Sequence, residues 1–388
     1  MDERWQGTRQ GAENLDAIIA ESGKRALRRA PSAAYVAKLA EASEFLSDVL
    51  AGKRPAYYLT EALTTSDFPL LMGDILDRQL LGRYNEAPPT WQNYCKRGLV
   101  RDFRTVRRLS VDGVEGRYYP TYRHAERTNV RHDSSLIETG YTYNVEVYEK
   151  AISIDWQMLI NDDLGAFQDL PLRLARGARR TEEYFVTTMF VDSAGPHASL
   201  YTSGNANIVT SNPALSIAGL QTAFAKLAAQ TDASGEPILI EMVELVVPPA
   251  MEVTALNILN ALQLWVDTNA SAGTAQQNLV TVNWMRNRVR LSVNPYIPVV
   301  ASSSNGNTSW FLFANPNNGR PALELGFLMG YETPGIYQKA PNTMRVGGAV
   351  DPTLGDFETH AITYKGMHII GGTTLDPKMT VGSNGSGS

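Results

Sequence analysis

The chain has 388 residues, of which 43% are hydrophobic and 19% charged, so it carries enough apolar surface for more than one folded lobe and too much to stay disordered. A formal net charge of −5 excludes a generally basic nucleic-acid coat, though not a local basic patch. Cys95 is the single cysteine, which excludes an internal disulfide and a cysteine-rich zinc site and fits a reducing cytosol. No apolar run is long enough to cross a bilayer, and MDERWQGTRQGAENLD has no apolar leader core, so neither a membrane partner nor secretion is expected. Asn269-Ala-Ser and Asn307-Thr-Ser are then chance matches to a glycosylation pattern.

In chain order, residues 12–50 predict helix, divided near Pro31 and stopped by Gly52 and Pro55. Residues 67–83 predict a second helical piece. Alternating, β-rich runs at 103–111 and 141–148 flank a polar stretch and predict a long two-stranded excursion. An isolated hairpin is marginal in water, so such an arm needs a partner surface. Asn161 or Asp162 can cap a short helix; Asp169 is then expected to cap a longer one over about 171–191, with Pro171 in its first turn. Leu174, Ala178, Phe185, Thr188 and Met189 mark one face of that helix, leaving Arg173, Arg176, Arg179, Arg180, Glu182 and Glu183 for the rest. Further on, helices are expected near 214–230 and 250–264, and strands at 244–247, 288–293, 310–313 and 323–329, the first ended by Pro248-Pro249. Residues 356–370 predict a strand pair, Gly347-Gly348 and Gly371-Gly372 turns, and the terminal GSNGSGS a flexible end.

Catalytic patterns are lacking. The histidines, His124, His132, His197, His360 and His368, form no H-x-x-x-H or H-E-x-x-H helix, and no G-x-S-x-G, Walker or G-x-G-x-x-G loop occurs. Asn161-Asp162-Asp163 reads better as helix capping than as an acid/base pair. No catalytic, cofactor or metal residue is therefore assigned.

The informative chemistry is a run of arginines. Between residues 96 and 131 stand ten basic residues against four acidic ones, in a chain that is negative overall. DNA contact through phosphates, a docking arm pairing with carboxylates of a neighbour, and a solvated hairpin all fit. Docking ranks first because the arm has little core of its own. Its candidate residues are Arg104, Arg107, Arg108, Arg117, Arg123, Arg127 and Arg131.

Three stretches, in order, carry a family resemblance. YEKAISID leads into INDDLGAFQDLPLRLARGARRTEEYFV; DASGEPILIEMVELVVPPAMEVTALNIL follows at 232–259; GDFETHAITYKGMHIIGGTTLDPK closes at 355–378. Their order and spacing resemble the major capsid proteins of tailed double-stranded DNA bacteriophages over about residues 60–380. The resemblance implies an α+β fold of the Hong Kong 97 type. Its parts would be an N-terminal helical region (1–58), an N-arm (59–100), an extended loop (101–149), a peripheral domain with a long spine helix (150–195), an axial domain with linking strands (196–345), and closing strands with a tail (346–388).

It further implies a structural, non-enzymatic protein without cofactors. Copies would join as hexamers and pentamers into an icosahedral virion shell, assembled in the cytoplasm of a bacterial host. The expected partners are other copies, a portal, a scaffold or maturation protease, a decoration protein, and packaged double-stranded DNA held by weak non-specific contact. Lys24, Arg25, Arg28 and Arg29 are the inner-face candidates for that contact. An encapsulin-like compartment is the alternative and an enzyme of unrecognised class a remote one. In the family's covalently linked variant a lysine on the extended loop bonds to a neighbour's asparagine, but here no lysine lies between Arg97 and Glu149.

Overall fold

Apolar runs bounded by turn residues become strands in a computed structural model of the chain. It describes residues 81, 84, 89–112, 122–123, 126–127, 137–155, 164–232, 235–240, 242–267, 278–286, 288–301, 304–317, 319–340, 342, 356–359 and 361–387. The expected helices at 12–50 and most of 67–83, the capping residues 161–163 and Gly347-Gly348 lie outside them. The main strands are β1 (Lys96–Val100), β2 (Val106–Asp112), β3 (Ile137–Tyr143), β4 (Val145–Asp155), β5 (Val243–Val247), β6 (Val289–Val293), β7 (Trp310–Ala314), β8 (Leu323–Leu328), β9 (Gly335–Gln338), β10 (Ala361–Thr374) and β11 (Thr380–Ser383). The main helices are α1 (Leu164–Phe190), α2 (Ile217–Ala228) and α3 (Glu252–Asn260).

By internal contacts the chain forms two units. Among the described residues, one draws on Val147–Arg176 and Leu328–Ile369, the other on Ala87–Glu146, Gly177–Phe327 and Ile370–Ser388. In the first, β9 pairs antiparallel with the early half of β10, and β4 is another neighbour of β10. Leu174 of α1 closes on Gly366, where a Cβ would sit 3.1 Å from its methyl.

The second unit holds a four-stranded mixed sheet in the order β6–β5–β7–β11. β6 runs parallel to β5, and β7 antiparallel to both β5 and β11. Every residue of β5 and β7 is buried, which is why VELVV and WFLFA lack the alternation of a one-sided strand. Val243, Leu245, Trp310 and Leu312 cluster with Leu220, Ala223 and Leu227 of α2 and Ala255 of α3. Phe190, at the end of α1, meets Phe311 and Phe313 edge-on at 5.0 and 5.2 Å. Ser216 caps α2 by accepting from the Gly219 amide at 3.1 Å. The β5 run stops at Val247, where Pro248-Pro249 starts a 3-10 turn. β1, β8 and the late half of β10 make a second sheet layer in this unit.

Five expectations need correction. Helix α1 begins at Leu164, so Pro171 lies beyond the first turn; a long helix tolerates one missing amide donor at the cost of one i→i−4 bond. Glu182 and Glu183, expected on the polar remainder of that helix, are buried. The closing strand pair is one strand, β10, and Gly371-Gly372 lies inside it. A Cβ at either glycine would overlap a backbone carbonyl, of Asn144 or of Glu324, so these glycines serve close strand approach and not a turn. The terminal GSNGSGS is not free either. Gly382 and Ser383 belong to β11, all of it buried, and the Gly387 amide donates to the Asn212 carbonyl at 2.8 Å.

Candidate functional site

The expected arm is present as an antiparallel hairpin of β2 and β3, in register from Val106 opposite Tyr143 to Asp112 opposite Ile137. A second small pairing, Tyr122–Arg123 with Glu126–Arg127, falls between these two strands in sequence. An exposed bend, residues 101–105, joins β1 to β2. Side chains that would normally seek cover stand in water there: Leu99 is 46%, Phe103 52% and Leu109 61% exposed. Arg101, Arg104 and Arg107 are exposed among them.

The arm's root is built differently. Glu324 of β8 is buried in the apolar run LELGFL and takes donors from both arm strands. Arg108 of β2 reaches its Oε1 through Nε at 2.8 Å and Nη2 at 2.7 Å. Tyr143 of β3 donates its hydroxyl to the same oxygen at 2.6 Å. Arg108 Nη2 also contacts the Tyr143 hydroxyl and the Leu99 carbonyl, each at 3.4 Å. Burial, and then the bond to Glu324, push the Tyr143 phenol well up, so it remains a donor.

A second buried acidic cluster ties the segment before β1 to α1. Trp91 donates its indole N–H to Glu182 at 2.9 Å, and Arg179 reaches the same oxygen at 3.1 Å. Glu183 accepts from the Thr90 hydroxyl, the Trp91 amide at 3.3 Å and the Tyr94 hydroxyl at 3.4 Å. Asn294 donates to Tyr94 at 3.1 Å and to Thr187 at 2.8 Å. Burial raises the Glu183 carboxyl above its ordinary value, and the bonds from Thr90, Trp91 and Tyr94 oppose that rise. Burial likewise pushes up the Cys95 thiol, which makes it a poor nucleophile.

Of the arginines singled out by sequence, Arg104 and Arg107 are exposed, whereas Arg108 turns to Glu324 of its own chain. Arg123 and Arg127 lie in the paired two-residue strands. Arg117, Arg131, Lys24, Arg25, Arg28 and Arg29 fall outside the described residues. Glu324, Tyr143, Glu182 and Glu183 were not foreseen. A usable signal existed for Glu324, a lone charge inside an apolar strand, as for Glu244 in VELVV, which accepts from the Ser292 hydroxyl. Among the described residues no cluster of histidine, cysteine or carboxylate could hold a metal, and no helix is long and apolar enough to cross a membrane.

A hairpin fixed firmly at its root, with apolar and cationic side chains left in water, suits a subunit that joins other subunits. Together with the long helix, the antiparallel sheet and the mixed sheet it makes an α+β architecture, the class of the Hong Kong 97-type shell proteins. The chain belongs to the phage capsid protein family, whose model matches residues 139–382. It is thus a structural subunit of a virion shell that assembles with copies of itself. No curated protein matches the sequence. Among solved structures it is similar to a chain of Gordonia phage Cozz, at 13% identity and TM-score 0.41, over 74% of this chain and 83% of that one. The Cyanophage Pam1 capsid gives 11%, 0.43, 73% and 86% for the same measures. The holo-SrpI encapsulin complex from Synechococcus elongatus gives 11%, 0.45, 76% and 89%.

Proposed function

We propose that copies of this chain gather as hexamers and pentamers and close into an icosahedral head around double-stranded DNA, without catalysing a reaction. The observation that carries this reading is the arm. Leu99, Phe103 and Leu109 lie exposed beside Arg101, Arg104 and Arg107, an arrangement that gains by being covered. A neighbouring copy covers it: apolar contact removes the exposed carbons from water, and neighbouring carboxylates take the guanidinium groups in bidentate pairs. DNA is held loosely on the inner side, as the net charge of −5 favours, with Lys24, Arg25, Arg28 and Arg29 as its contacts. A portal, a scaffold or maturation protease and a decoration protein complete the particle, which assembles in the cytoplasm of a bacterial host.

Electron microscopy of the purified protein, with nucleic-acid analysis of any particles, tests the reading. Closed shells containing duplex DNA are expected from infected cells. Shells that hold only a protein cargo would replace the head by a storage compartment. A protein that forms no closed shell under any assembly condition would remove the reading.

A further inference from the structure

The arm's direction is decided before any neighbour arrives. Both of its strands end on one buried atom, Oε1 of Glu324, through Arg108 on β2 and Tyr143 on β3. Glu324 is only 3% exposed at its side chain, so losing either donor would leave a buried acceptor short of a partner. The surrounding backbone makes room for this meeting. A Cβ on Gly98 of β1 would overlap Glu324 Oε1, and a Cβ on Gly326 of β8 would lie 2.6 Å from the Tyr143 ring. Neither glycine has a positive φ, so each is small because the acceptor or the ring occupies its side-chain space.

We infer that Glu324 is the positioning residue of the arm: with Arg108 and Tyr143 it locks the β2–β3 hairpin at one angle to its own sheet, and shell assembly uses that preset angle. The inference rests on the arm-docking reading above but concerns the unassembled chain. Without the lock, the exposed bend at 101–105 leaves the hairpin free to swing, and each docking event must first collect the arm from many orientations. Preorganisation removes that entropic cost from association. The arm's arginines then divide by role: Arg104 and Arg107 face a neighbour, while Arg108 serves its own subunit.

Spin labels at Leu109→Cys on the arm and Val253→Cys on α3, both exposed positions, measure the angle in the full-length, unassembled chain by pulsed electron resonance. The buried Cys95, with its raised thiol, stays unlabelled. The wild-type background is expected to give one narrow distance distribution. Glu324→Gln, which keeps the shape and loses the charge, should broaden it. Gly98→Ala, which displaces the carboxylate and leaves the triad's residues intact, should do the same. Both variants should form closed shells at rates lower by roughly tenfold or more, as expected when an interface loses its preorganisation. A broad wild-type distribution, or a narrow one in both variants, overturns the lock. Broadening without slower assembly overturns its role in assembly. Failure of the docking reading itself shows separately, as normal shells from Arg104→Glu with Arg107→Glu.

Discussion

The indole nitrogen of Trp91 and the carboxylate of Glu182 meet at 2.9 Å, with Trp91 and Glu182 both fully buried. This contact holds the segment before β1 against α1. Trp91→Phe keeps an aromatic ring and removes this donor. The expected cost is about 1–3 kcal/mol, the range for a buried acceptor that loses a partner. Urea denaturation followed by circular dichroism measures it, and a loss no greater than that of an exposed Phe→Leu control would reduce the bond to decoration.

Glu183 gives a pH dependence with a definite sign. Its folded carboxyl titrates above the ordinary value, chiefly because it is buried. Between those two values the folded chain holds the proton more tightly than the unfolded one, so this group's contribution is fully present below the ordinary value and is lost as pH rises through the raised one. Glu183→Gln keeps an acceptor and cannot ionise. Relative to wild type the variant should therefore gain stability as pH climbs from the acidic side toward neutrality. Parallel denaturation curves across that range provide the check; a variant stability, taken minus that of wild type, that falls as pH rises contradicts the assignment.

Charge changes in the arm should separate by position. Arg104→Glu with Arg107→Glu alters exposed side chains, so folding stability should move by less than about 1 kcal/mol while shell yield collapses. Arg108→Ala leaves the buried Glu324 with Tyr143 alone, which should cost about 1–3 kcal/mol of folding stability as well. Thermal melts of the dissociated chain, set beside particle counts, distinguish the two. Equal folding losses in both variants would refute the division.

Removing residues 380–388 should be far more damaging than its glycine- and serine-rich composition suggests. Strand β11 lies beside β7, from Trp310 opposite Ser383 to Phe313 opposite Thr380. Ser383 also donates to the Pro213 carbonyl at 2.8 Å. The truncation exposes the edge of β7 and the apolar side chains behind it, so insoluble protein is expected. A soluble truncated chain melting at the wild-type temperature would mean that β11 is dispensable.

Mature particles should contain no covalent cross-link through the extended loop. That chemistry needs a primary amine as nucleophile, and the span from Arg97 to Glu149 contains no lysine. Lys96 and Lys150 stand only at its edges, and a guanidinium stays protonated. A boiled denaturing gel should show a single monomer band. A ladder of oligomers that survives reducing agent would point to a nucleophile elsewhere.

Sequence alone determined the local elements whose apolar residues repeat with one clear period. The runs at 244–247, 310–313 and 323–329 became β5, β7 and β8, the run at 103–111 became β2 of the arm, and the helical windows became α2 and α3, whereas the run at 141–148 divides between β3 and β4. The order of three motifs was also enough to mark the family. Tertiary structure alone decided the rest of the site. Arg108 and Glu324 are 216 residues apart, and Trp91 and Glu182 are 91 apart. Periodicity reports which side of an element avoids water over a few residues; it carries no record of which distant donor will satisfy a carboxylate. Glu182 and Glu183 thus read as solvent-facing charges, the Gly371-Gly372 pair as a turn and the terminal glycines as a loose end. Each was settled by what another strand or helix placed against it: a buried charge must find its donors, and two backbones that close on one another leave no room for a Cβ.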